Sequence, residues 1–563
     1  MATRFWRGAA SGNWNSTANW SATSGGPTGA SVPTSADDVY FDSNSGNGLS
    51  YVTVSTTIKS LNTTGFVGTL NIKTATGTPT TLTVAGNVTL GNLATYSSEG
   101  TLRVTSNTTT TLTASNLQIP FNLTFINSSA VLTGKVNLGS NIYLLKTFVM
   151  NNYTIALNTF NLSIPSILLY GTTGFDFGSS GAAYIDIYGS NGIIVDTNYL
   201  NLTNVFVSGT QKPLIKLSYS GSVGKRSVRS WSNSGALGKF SYEIYGSDTI
   251  DWMQSTVANV ISVVIDFDAT NFTGKFNFLP QYVNGNFSIN PASSTLTTSG
   301  AGQNITFLTS GTTGLTRNIS CNNPAMYIGY TFYSGVTNLL SDIQTTNGVF
   351  FNAGTLNLNG YNIKTNTFSA VSNTAAPRIL NFNNSTIEII FNGILSSFQV
   401  TAANLTYSGF GTLKATSSNQ NATINIDPNS TVIPVNIILN NAGRTNILGS
   451  NTFLSLTNTE IGSLVFQATA KNIFSGFSLN GNPTKKYVLG SSSASLNYLG
   501  MPSGNANCDY LEIAWSSAAY GNIPNALGYN SVWYAGPNST VLPGSTVVNW
   551  FPKTAGQLLV FFP

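Results

Sequence analysis

Short segments of alternating character follow one another from residue 51 to about residue 480, and this constrains the fold more than any other feature of the chain. YVTVSTTIKSL (51–61), TLTVAGNVTL (81–90) and TLRVTSNTTTTLTAS (101–115) carry apolar side chains at nearly every second position. That period places one face of an extended strand in a core and the other in solvent. Clusters of Gly, Asn and Ser interrupt the strands at short intervals, as turns require. No segment shows the spacing of an amphipathic helix. Three pairs of segments also repeat in order, roughly 200 residues apart, as an internal duplication would leave them. TIALNTFNLS (154–163) matches TLNLNGYNIK (355–364), GNVTL (86–90) matches GNFSI (285–289), and NLT (201–203) matches NLT (404–406).

A unit of this kind cannot bury its apolar face alone, but stacked coils share one continuous core. The chain is therefore expected to be all-β, a parallel β-solenoid (β-helix). Ile155, Leu157, Leu356 and Leu358 should point inward, and Asn at turns should form side-chain ladders between coils. A string of β-sandwiches would show discrete linkers and domain-sized units, and neither stands out here.

Composition removes several functions. Charged residues are 7% of the chain, against roughly 25% in an average globular protein. The apolar residues are diluted by Asn, Thr, Ser and Gly, so no run of about 18 reaches the length of a membrane span. Hydrophobic content of 41% and aromatic content of 11% argue against disorder. There is no histidine, which excludes Ser-His-Asp and Cys-His catalysis and His-ligated zinc. No cofactor and no metal site is expected. A net charge of +5 is too thin for a nucleic-acid groove, and the densest basic run, Lys225, Arg226 and Arg229, reads as a solvated loop. Cys321 and Cys508 read as buried small apolar residues rather than a disulfide or metal pair. Asp37, Asp38 and Asp42 lack the spacing of an EF-hand and read as turn formers, with calcium as the minor alternative.

Five regions are expected. Residues 1–50 hold Trp6, Trp14 and Trp20 and suit a cap or attachment module that covers an end of the solenoid. Residues 51–217 and 281–480 are two solenoid units. Residues 218–280 form a junction richer in charge and large aromatics. There Trp231, Tyr242, Tyr245 and Trp252 lie near Glu243, Asp248, Asp251, Asp266 and Asp268. Aromatic rings and carboxylates together suit sugar binding, and a carboxylate pair could also run glycoside hydrolysis without histidine. An ordinary junction between duplicated halves explains the same composition. Residues 481–563 form a C-terminal β module with an apolar tail, in which Leu558, Leu559, Phe561 and Phe562 are expected to make an assembly contact or cap the core.

Several segments together resemble a known family. They are the opening WRGAASGNWNSTANWS with PTSADDVYFDSNSG, the central GTLNLNGYNIKTNTF with RILNF (378–382), GSNTF (449–453), CDYLEI (508–513) and WYAGPNS (533–539). They resemble repetitive β-rich structural and fibre proteins of marine and environmental bacteriophages, distantly like bacterial β-solenoid adhesins. The resemblance implies a virion structural protein, a tail fibre, spike or capsid appendage used in attachment to the host surface and non-enzymatic. Its implied partners are other virion proteins, a host-surface glycan and further copies of itself, with a trimer among the options. The N-terminus has no apolar signal-peptide region, which fits a chain made in the host cytoplasm and carried on the virion. The alternatives are a tailspike depolymerase, a purely structural decoration protein and a secreted bacterial adhesin at the cell surface. In one respect the chain departs from the resemblance: an apolar tail follows NWF (549–551), where that family closes soon after such a motif.

Overall fold

The structure is a computed structural model. It describes residues 2–170 (without 9, 115–116 and 128–133), the strands and a few adjoining residues between 174 and 307, and most of 315–552. Among the described residues the only helical segment is the single turn Thr17–Asn19, and parallel sheets form a β-solenoid of about 13 turns, as the alternation predicts. It divides into two compact units, Met1–Pro280 with Ala292–Thr297, and Gln281–Pro291 with Thr298–Pro563.

In the second unit the coil has three sides. Val336–Leu339, Ile343–Thr345 and Val349–Phe351 follow one another, and each joins its own parallel stack. They pair one coil on with Gly354–Asn357, Ile363–Thr365 and Thr367–Ala370. Register fixes which side chains enter the core. Leu356 and Leu358 are fully buried, as are Ile155 and Leu157 in the first unit. The same sheets continue through Tyr487–Ser491 and Leu511–Ile513 on one side and Asn497–Gly500 and Ser516–Ala518 on another. A further parallel sheet of Asn505–Cys508, Val532–Ala535 and Trp550–Pro552 is added near the C-terminus.

The duplication reaches individual hydrogen bonds. The Asn158 amide donates to the Leu138 carbonyl at 3.2 Å, and the Asn359 amide donates to the Leu339 carbonyl at 3.3 Å. Both asparagines turn the chain in the left-handed region, at φ 56° and 55°, which Asn tolerates better than most residues. The Asn161 N–H donates to Asn141 Oδ1 at 2.8 Å, and the Asn362 N–H to Asp342 Oδ1 at 2.7 Å. Asn ladders occur on strands as well as at turns: Asn357 donates to Asn338 at 2.7 Å and Asn338 to Asn318 at 3.2 Å.

Trp6, Trp14 and Trp20 are fully buried. Trp20 lies 5.2 Å from Trp6 and 4.8 Å from Trp14, both edge-on, and Phe41 closes the cluster at 5.5 Å from Trp6. Trp20–Ser21 runs antiparallel along Thr3–Trp6 and so pairs the outer edge of the first strand. The nearby aspartates serve turns and strand edges. Asp37 accepts from the Thr34 N–H and hydroxyl, Asp38 pairs with Lys59 at 2.8 Å, and Asp42 accepts from the Asn44 N–H. Burial raises the Asp37 carboxyl, but hydrogen bonds from Thr34 and Ala2 and the nearby Arg4 outweigh it and hold the group below its ordinary value. Both cysteines are buried, and neither is joined in a disulfide.

Buried tyrosines give the core an alkaline limit. Burial pushes Tyr96 and Tyr153 up to about 12, against the lowering effect of their hydrogen bonds. Burial also raises Tyr487. A group whose folded value is raised adds stability that is complete below its unfolded value and is lost as pH rises through the folded value. The fold is therefore expected to lose stability between about pH 10 and 12, tyrosinate absorbance and loss of the far-ultraviolet β signal rising together. Arg317, lowered to about 10 by burial, and Arg378, lowered by burial too, work in the opposite direction, but they are fewer than the buried tyrosines. Complete tyrosine titration near pH 10 with the β signal intact would contradict this expectation.

Candidate ligand-binding face

One line of strand positions in the first unit brings polar and charged residues into backbone register. Backbone register aligns Gln118 with Tyr143, Tyr143 with Ser163, and Ser163 with Asp186. The line continues through Lys216 and Glu243 to Asp268. Successive members belong to successive coils, about 4.8 Å apart. The intervening residues alternate inward, as buried Ile142, Ile185, Ile244 and Phe267 show. Asp268 is exposed, and its Oδ1 accepts from the Thr270 N–H at 3.0 Å and the Thr270 hydroxyl at 2.7 Å.

Tyr188 lies two residues beyond Asp186 on the same strand, so the two share a face. Its ring stacks on that of Tyr143 with centroids 5.1 Å apart and planes 11° from parallel. Its hydroxyl donates to the Leu144 carbonyl at 2.5 Å. Burial, the hydrogen bond and field of Tyr143, and the charge of Asp186 all raise the Tyr188 phenol above its ordinary value, so it stays a neutral donor at physiological pH. Tyr143 remains 37% exposed, and Leu145 beside it 42%, which leaves a ring face and an apolar edge open to solvent.

The backbone is irregular here. Ile164 pairs with Ile187 but Ser166 with Gly192, so residues 188–191 bulge out of the ladder. A second shift lies between Glu243 and Tyr245, opposite 269 and 270, and a third between Ile250 and Asp251. Such bulges re-aim side chains and recur beside functional sites.

The duplicated unit provides an internal control. Its equivalent line runs Gln344, Lys364, Glu388, Lys414. Glu388 sits between the two lysines, 3.9 Å from Lys364 and 3.3 Å from Lys414. The acid next to a lysine is thus common to both units. The second unit has Gln344 at the place of Tyr143, and Ile390 two residues beyond Glu388 where the first unit has Tyr188. Its line passes from Lys414 to Ile438 where the first passes from Lys216 to Glu243. The stacked tyrosines and the acidic continuation belong to the first unit.

Among the residues singled out from sequence, Glu243 and Asp268 are brought side by side in register. Tyr242 aligns with buried Phe267, Tyr245 with Asn271, and Trp252 with Val228. Their side chains, with those of Glu243 and Asp251, lie outside the described residues. So do Trp231, Asp248, Leu558, Leu559, Phe561 and Phe562 altogether. Asp266 is half-buried on the neighbouring outward line, in register with Ser241. Sequence reasoning missed Tyr143 and Tyr188. The signal was present in YIDIY (184–188), where Tyr184, Asp186 and Tyr188 alternate with isoleucine and must share one face. Among the described residues no group of three potential metal ligands occurs.

The arrangement can bind hydroxyl-rich ligands. A stacked aromatic platform meets the apolar face of a sugar, while carboxylates and amides accept and donate to its hydroxyls. No family model, no curated protein and no solved structure matches the chain.

Proposed function

We propose that this chain is a surface-displayed structural protein of a bacteriophage particle, a tail fibre, spike or capsid appendage, that attaches to a host-surface polysaccharide without cleaving it. The observation that carries the binding reading is the Tyr143–Tyr188 stack beside Asp186, present in one unit and replaced in its duplicate. The particle assignment rests on the sequence resemblance, and the solenoid is compatible with it. A rigid coil stack holds the face in fixed geometry, and several copies on one particle would turn weak contacts into avidity.

Binding of the purified chain to immobilised host polysaccharide tests the first part. Tyr143→Ala is expected to weaken binding about three- to tenfold, the worth of one aromatic contact. Unchanged binding would reject this face as the site. Electron microscopy of the particle tests the second part. An outward-projecting location supports attachment, whereas a position flat on the shell makes the chain a scaffold.

One observation favours a second reading, a polysaccharide depolymerase. Glu243 and Asp268 occupy adjacent ladder positions, and paired carboxylates roughly 5–10 Å apart hydrolyse glycosides. New reducing ends that disappear in Glu243→Gln and Asp268→Asn would replace the non-enzymatic reading.

A further inference from the structure

The second unit carries a different kind of surface, independent of the glycan reading. Its side made of Thr316–Ser320, Val336–Leu339, Gly354–Asn357, Arg378–Asn381 and Leu405–Ser408 is a parallel sheet in continuous register. One outward line runs Thr316, Val336, Thr355, Ile379, Thr406. The line two residues further along runs Asn318, Asn338, Asn357, Asn381, Ser408. No member of either line is charged or aromatic. Four of the first five are β-branched residues carrying Thr or Val methyls, the fifth is Ile, and all five are therefore stiff at χ1. The asparagines are pinned to one another: Asn381 donates to Asn357, Asn357 to Asn338 and Asn338 to Asn318. Ile379 is 38% exposed, and Thr316 and Thr406 are exposed.

The result is a rigid two-dimensional grid of methyl and amide groups, about 4.8 Å between coils and about 7 Å between lines. Solvation alone does not require such order, since scattered polar residues would serve. The grid spans four coil steps, about 19 Å by 7 Å. It carries none of the aromatic, Met or Arg anchors that protein interfaces concentrate, so a second copy is a poor occupant. A single sugar chain would find no aromatic platform here, unlike on the first unit. What a fixed, uncharged, periodic grid can match is a ligand that is itself periodic and made of small hydrogen-bonding units. We infer that this side of the second unit binds ordered water, adsorbing to the surface of ice.

Ice-recrystallisation assays and adsorption to a single ice crystal test this on the full chain. The wild-type chain is expected to arrest grain growth and to coat the crystal. The double variant Ile379→Lys with Thr406→Lys places two cations on exposed grid positions and is expected to lose both effects. Its β signal and protease resistance should be unchanged, which separates loss of binding from loss of fold. Tyr143→Ala should behave as wild type in ice, so failure here and failure of the glycan face are read separately. A wild-type chain no different from a non-binding protein overturns the inference. So does a double variant that keeps its ice activity. Sedimentation showing self-association that the double variant abolishes, without any ice effect, would assign the grid to a second copy instead.

Discussion

Trp14→Ala is expected to destabilise the N-terminal end of the first unit by about 3–5 kcal/mol, the usual cost of emptying a fully buried aromatic site. Trp14 is fully buried, 4.8 Å from Trp20 and 6.0 Å from Phe41. Its carbonyl accepts from the Trp20 indole N–H at 2.6 Å, and its backbone N–H donates to the Tyr51 carbonyl at 2.8 Å. Truncation would leave the surrounding rings with no neighbour on one side, and the cluster is too interlocked to collapse around the gap. The loss should be local before it is global, because each coil is held mainly by its neighbours. Hydrogen exchange should therefore show lost protection at Thr3–Trp6 and Asp38–Tyr40, while Tyr487–Ser491 keeps its own. Trp14→Phe should cost less. A change below about 1 kcal/mol would mean that the tryptophans are packing around a core that does not need them.

The alternation of period two made the strands, their inward residues and the solenoid legible, because the same rule governs every coil. The duplication was legible too, and the structure extends it from matching letters to matching turns, as at Asn158 and Asn359. The lines of side chains across coils were not legible. Tyr143, Asp186 and Asp268 fall on one line only once register is known, and coil length varies. Val336 pairs with Thr355 and Thr355 with Ile379, steps of 19 and 24 residues. A reader of one sequence cannot add such uneven steps. Local density therefore drew attention to 218–280, where aromatics and acids are close along the chain. Register instead joins Glu243 and Asp268 to residues as distant as Tyr143. Buried arginine was equally hidden, since composition rules place arginine at the surface.

Arg378 is the stronger test of that last point. It is 1% exposed, yet it donates to the carbonyl of Ala370 and to the carbonyl and hydroxyl of Thr401 at 2.9 and 3.1 Å. Ala370 pairs with Val400, the residue before Thr401, so the guanidinium bridges two successive coils at one corner. Burial holds its pKa below the ordinary value, with the nearby Tyr407 acting against the shift. The charged form is thus disfavoured by its surroundings, although the group stays protonated at neutral pH. Two effects oppose each other. Removing the charge relieves a desolvation cost, while removing the donors takes hydrogen bonds from the carbonyls of buried Ala370 and half-buried Thr401, of which the first still accepts from the Thr401 N–H at 3.3 Å. Arg378→Ala adds an empty volume to the lost donors and is expected to cost about 2–5 kcal/mol. Arg378→Met nearly keeps the volume and isolates the polar balance. If hydrogen bonding to the corner dominates, the methionine variant is also destabilised, by about 1–3 kcal/mol in a denaturant melt. If desolvation dominates, it is as stable as wild type or more so, and the arginine is then held in the coil for something other than its strength.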